Sequence, residues 1–185
     1  MEDSAQKTVL LWWQSMVLPP QQLHDLNIMS APSTHRAQLR RCESADTVML
    51  TDGFRALWLR LESNITDGTN ANTIECWATI ASALAYVKKN GKDSLAAVAG
   101  RRSGGEQSII SEFRFSQLQS STTPEYFLGR LRRIIQQIEG DVSVTKLAVD
   151  IQQWFAEYNN IKPRNADKRL GVQWAMAYYR SAGAA

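Results

Sequence analysis

Apolar residues recur at helical spacing along nearly the whole chain. The clearest series is Val144, Leu147, Ala148, Ile151, Trp154, Phe155 and Tyr158, which fits one face of an α-helix through about four turns. A second series, Ile74, Trp77, Ile80, Ala81, Leu84 and Val87, predicts a long helix over 72–89. Small Ala78, Ser82 and Ala85 lie beside it and permit close approach of neighbouring helices, so this helix is expected to be central. Thr123-Pro124-Glu125 carries the chemistry of a helix start: a capping hydroxyl, a proline where no donor is missed, and an acid near the positive dipole end. From that start, Phe127, Leu128, Leu131, Ile134, Ile135 and Ile138 form a face that must be buried. Arg130 and Arg133, with Gln137 a turn on, take the other side. The alternation of a half-buried strand is absent, and the expected fold class is all-α.

Breaks in this pattern divide the chain. Pro19-Pro20 ends the first helix, residues Glu62 to Asn70 make a polar break, and Gly100-Arg101-Arg102-Ser103-Gly104-Gly105 reads as a mobile basic loop. The loop separates two helical lobes, 1–100 and 101–185, each a packed helical bundle. A domain of 185 residues buries roughly 70% of its unfolded surface and needs no disulfide or metal staple. Cys42 and Cys76 have no CxxC spacing, and His24 and His35 have no ligand-type partner one turn away, so no metal site is expected. Val9-Leu10-Leu11-Trp12-Trp13 is too short to span a membrane and lacks the flanks of a signal peptide, which points to the reduced cytoplasm. No Ser/His/Asp set or P-loop is present, so neither catalytic residues nor a cofactor are expected.

Charge adds a specific expectation. The formal net charge is only +3, yet the cations are sorted into clusters. Residues 36–41 carry three arginines, Arg36, Arg40 and Arg41, and no acid. Residues 101–133 carry six, Arg101, Arg102, Arg114, Arg130, Arg132 and Arg133, against Glu106, Glu112 and Glu125. Lys162, Arg164, Lys168 and Arg169 face the single acid Asp167. Any one cluster is ordinarily a solvated helix face, but several rich in arginine suit a polyanion, because the guanidinium fork binds phosphate oxygens in pairs. Arg132 stands about 100° from Arg133 and is expected at the edge of the core or beside an acid. Arg114, between Phe113 and Phe115, fits a snorkelling structural role as well as a binding one. Asn165 has the chemistry of a cap and would place Lys168 and Arg169 in the first turns of a helix, where a bound phosphate would offset their clash with the dipole. Trp58, Trp77, Trp154 and Trp174 fall on apolar faces and are expected in the core, while Trp12 and Trp13 point to different sides of one helix, leaving one available to a partner.

With these segments in order, the chain resembles the CasB family, the small subunit of the type I-E CRISPR Cascade complex. The resemblance is carried by Leu10-Leu11-Trp12-Trp13, by Arg36-Ala37-Gln38-Leu39-Arg40-Arg41, and by Phe54 with Leu57-Trp58-Leu59. In the second half, Ser111 to Leu118 is similar to the family's Arg-Phe-x-x-Leu-Leu segment and Leu131-Arg132-Arg133-Ile134-Ile135 to its Leu-Arg-Arg helix. Leu147 to Trp154 resembles its Leu-x-x-Asp-x-x-x-Trp pattern, and Trp174-Ala175 to Tyr178-Tyr179 its closing helix. The chain departs at Leu118-Gln119, where two leucines are usual, and in the polar stretch Glu62 to Asn72. The resemblance implies two helical bundles, pairing with a second copy, contact with other Cascade subunits, and binding of CRISPR guide RNA, target DNA and the displaced strand in an R-loop for antiviral defence. Guide pairing then supplies specificity, and the protein holds backbones.

Two other readings compete. A stand-alone DNA-binding regulator of helix-turn-helix type would need a recognition helix, for which Asn165 to Arg169 is the available segment. A purely structural module would turn its basic clusters toward acidic protein.

Overall fold

The computed structural model describes residues 1–67, 71–102 and 107–183. Ser103-Gly104-Gly105 of the expected basic loop, the last three residues of the expected polar break and the two final alanines lie outside them. Among the described residues the chain forms twelve α-helices, one 3-10 turn and two strands of two residues each. It is all-α, as its periodicity predicts.

The chain divides into the units Met1–Ala85 and Tyr86–Ala185. The first contains α1 (Asp3–Val17), α2 (Pro20–Asp25), α3 (Ser33–Arg41), α4 (Ala45–Met49), α5 (Asp52–Trp58), α6 (Ser63–Thr66) and α7 (Ala71–Leu84). Helix α7 packs on α3, α4 and α5, and Ala78, Ala81, Ser82 and Ala85 are all buried, so the small residues do bring neighbours close. Trp12 and Trp13 are both only 1% exposed, because α1 packs against both α3 and α5. Neither remains for a partner, and Trp12 Nε1 donates to the Gly53 carbonyl at 2.9 Å. Gly53 makes the crossing of α3 and α5 possible: a Cβ there would lie 2.9 Å from Leu39 Cδ1 and 3.1 Å from the His35 carbonyl oxygen. The expected helix over 72–89 ends early, at Leu84. Arg36 Nε donates to the Ala85 carbonyl at 3.0 Å just beyond that end.

The second unit contains β1 (Lys89–Asn90), α8 (Leu95–Gly100), α9 (Glu112–Gln119), α10 (Pro124–Gln137), β2 (Asp141–Val142), α11 (Val144–Tyr158), a 3-10 turn (Ala166–Lys168) and α12 (Leu170–Gly183). Segment 86–100, placed in the first lobe by the sequence pattern, belongs here by its contacts. Its strand pairs in parallel with β2, Lys89 opposite Asp141 and Asn90 opposite Val142. Its helix α8 packs on α12 so tightly that a Cβ on Gly100 would collide with the Tyr178 carbonyl. Gly140 holds φ at +72°, and a side chain there would press on the Tyr86 carbonyl at 2.7 Å and the Lys88 amide at 2.8 Å, so the turn into β2 requires glycine.

Helix α10 begins where its capping chemistry predicts. Tyr126 N donates to Thr123 Oγ1 at 3.3 Å, Pro124 occupies the first turn, and the Thr123 hydrogen bond lowers the Glu125 pKa. Phe127, Leu128, Leu131, Ile134, Ile135 and Ile138 are buried. Burying each is worth about 1.5–3 kcal/mol, whereas a surface ion pair contributes at most about 1 kcal/mol, so packing dictates which side of α10 faces water. That side carries Arg133.

Candidate nucleic-acid interface

Helices α9 and α10 pack together and leave a groove of about 340 Å³ lined by Arg114, Gln117, Arg130, Arg133, Ile134 and Gln137. Three guanidinium groups share it and no acid lines it. The three are held differently. Arg130 is half-buried: its Nη1 donates to the Gln117 carbonyl at 2.5 Å and to Ser121 Oγ at 3.2 Å, and its guanidinium sits 5.7 Å from the centre of the Tyr126 ring. Gln117 lies in the last turn of α9, so Arg130 answers a carbonyl that the helix itself leaves open. Arg114 is exposed, and its Nη1 donates to Gln137 Oε1 at 2.9 Å while Gln137 Nε2 donates to the Ile109 carbonyl at 3.1 Å. Arg133 is exposed and, among the described residues, has no hydrogen-bond or ion-pair partner. Among the described residues one cation is thus fixed, one is steered through an amide and one is free, and the remaining lining side chains, Gln117, Ile134 and Gln137, are neutral. Such a groove can take a phosphate with little rearrangement.

Arg132 turns away, half-buried, with its guanidinium 5.6 Å from the Tyr86 ring centre. Arg101 pairs with Asp93, and Arg102 is exposed beside the residues outside the described set. In the first unit, Arg36 is half-buried on the Ala85 carbonyl, and burial followed by the neighbouring Arg40 charge lowers its pKa. Arg36 therefore has a clear structural function in closing the end of α7. Arg40 and Arg41 are exposed, and Arg41 lines a separate groove of about 570 Å³ that also holds Glu43, Asp52 and Arg55. Mixed charge makes that groove a poorer match to an anion than the one between α9 and α10.

The Lys168/Arg169 segment differs from expectation. Asn165 makes no side-chain cap, and residues Ala166–Lys168 form a single 3-10 turn. The long helix starts afterwards at Leu170, whose N–H donates to Glu157 Oε1 at 2.7 Å. A carboxylate already answers that helix end, so no phosphate is needed there to relieve Lys168 or Arg169. Lys168 Nζ lies 3.9 Å from Asp167.

Gln117 and Gln137 complete the groove beside the arginines. No sequence signal singles out Gln117, whose carbonyl meets Arg130 only because α9 packs on α10. Among the described residues no three His, Cys, Asp or Glu side chains gather as metal ligands, and no helix is long and apolar enough to cross a membrane. Cys76 is buried, which pushes its thiol pKa up.

The family described as CRISPR-associated protein Cse2 (CRISPR_cse2) matches residues 35–179, a span that includes all six residues of the groove. No curated protein and no solved structure matches the chain. With most of its length matched in this way, the chain belongs to the Cse2 (CasB) family, the small subunits of the type I-E CRISPR Cascade complex.

Proposed function

We propose that this subunit holds nucleic-acid backbones within Cascade, stabilising guide RNA, target DNA and the displaced strand of the R-loop without reading their sequence. The observation that carries the reading is the groove between α9 and α10, where Arg114, Arg130 and Arg133 converge with no acid among the lining residues. Guanidinium groups there offer donors to phosphate oxygens, which are the same at every base pair, so the contacts position a strand and do not specify it. Exchange of one duplex for another in an R-loop is nearly balanced, and a few backbone contacts suffice to tip it. Arg40, Arg41, Arg102, Lys168 and Arg169 are proposed as further, more exposed backbone contacts, with Arg36, Arg101 and Arg132 contributing through the surfaces they brace. Pairing with a second copy would double the number of such contacts along one strand. The helix-turn-helix alternative loses its segment, since Ala166–Lys168 is one 3-10 turn and too short to enter a groove.

The test is a salt titration of single-stranded DNA and RNA binding by the full chain. Arg133→Ala is expected to flatten the log–log slope by about 0.7, the loss of one phosphate contact on a single strand, with no change in base preference. Arg55→Ala, which removes a cation paired with Asp52, is expected to leave the slope alone. A full slope in the Arg133→Ala protein would remove this residue from the interface.

A further inference from the structure

A second cleft in the same unit has a different chemistry. It encloses about 260 Å³ and brings together Trp154, Glu157 and Tyr158 from α11, Lys162 beyond it, and Gly171 and Trp174 from α12. Its aromatic members continue a parallel series of rings. Phe127 and Trp154 stack with centroids 4.1 Å apart at 10°, and Trp154 and Tyr158 at 5.2 Å and 9°. Burial falls along the series: Phe127 is fully buried, Trp154 is 7% exposed, and Tyr158 is 45% exposed. The last ring is therefore an aromatic surface presented to solvent, held in orientation by the rings behind it.

Two charges decide what fits. Glu157 Oε1 is engaged by Leu170 N at 2.7 Å and Gln153 Nε2 at 2.8 Å, while its Oε2 has no partner among the described residues. A carboxylate inside the cleft repels phosphate and accepts from an amino group. Lys162 is exposed on the cleft lining and can meet a phosphate outside. A planar ring with an exocyclic amine, joined to a phosphate, satisfies all three features.

We propose that this cleft takes an unpaired nucleobase carrying an exocyclic amine, which stacks on Tyr158 and donates that amine to Glu157. The inference rests on the nucleic-acid-binding reading above and adds to it a contact with bases in place of backbone. Base–aromatic stacking is worth roughly 5- to 100-fold in affinity when the ring is removed.

The test compares cytosine-rich single strands with abasic strands carrying the same phosphates, using the full chain. Tyr158→Ala is expected to weaken binding to the cytosine strand about 5- to 100-fold and to leave the abasic strand unaffected, while Tyr158→Phe keeps the wild-type affinity for both. Equal binding of both strands by the wild-type and Tyr158→Ala proteins would overturn the proposal. If that happens while Arg133→Ala still flattens the salt slope, the cleft fails and the backbone reading survives; if the slope is unchanged too, both fail. In assembled Cascade, 5-iodocytosine placed in the guide RNA or in either DNA strand should photo-cross-link to Tyr158 from the strand that supplies the base. No cross-link from any strand would likewise overturn the assignment.

Discussion

Cascade assembled with the Arg114→Glu/Arg133→Glu variant is expected to bind its target about 10- to 100-fold more weakly at moderate salt, approaching the complex that lacks this subunit. The reason is a reversal of field. Two of three cations in the groove become anions, Arg130 is left to offset them, and an incoming phosphate meets like charge in a concave site where solvent screening is reduced. Both positions are exposed, and Arg133 has no bond among the described residues, so the fold tolerates the change. Arg130 is deliberately left intact, because its bonds to Gln117 and Ser121 hold the end of α9. Equilibrium target binding by the two complexes checks the expectation, with unchanged affinity as the contrary result.

Asp150→Asn is expected to stabilise the protein at alkaline pH and to have little effect in acid. The Asp150 carboxylate accepts from Trp174 Nε1 at 2.9 Å, joining α11 to α12. Burial raises its pKa from 3.8 to about 6, against the opposing pulls of the Trp174 hydrogen bond and the Lys146 charge. The folded state thus holds this proton more tightly than the unfolded chain does. Stability from the group is complete below about pH 4 and is lost as pH rises through 6, a swing of about 3 kcal/mol at most. Asp150 retains some contact with solvent, so a gain of about 1–3 kcal/mol at pH 8 is expected for the asparagine variant, which still accepts from Trp174. Denaturant unfolding at pH 8 and pH 4 measures the difference. An equal effect at both values would mean that ionisation of Asp150 is not its source.

What could be read from the sequence follows the range of the forces involved. Helix α10 was legible because its signals are local: Thr123, Pro124 and Glu125 set its start, and its apolar spacing set its buried face. The same spacing put Arg130 and Arg133 together. Arg114 joins them only through the packing of α9 on α10, expressed in a bond to Gln137, a residue 23 positions away in sequence. The end of α7 was missed because it depends on distant partners, with Arg36 at the Ala85 carbonyl and Gly140 accepting from Lys88 and Lys89 beyond it. Two-residue strands are too short to show alternation. Trp12 and Trp13 needed helices on two sides to bury both, which a single helix's period cannot reveal. Lys168 and Arg169 looked like the start of a helix because the true cap, Glu157, lies 13 residues earlier on another element. Local chemistry therefore marked the cations, and tertiary packing chose which of them share a groove.

The most direct measurement is co-expression of the remaining Cascade subunits and guide RNA with and without this chain, followed by size exclusion and target-strand binding. The chain is expected to co-elute with the complex, and its omission to weaken R-loop formation. Elution of the chain on its own, with target binding equally strong in its absence, would contradict its role as a strand-holding subunit.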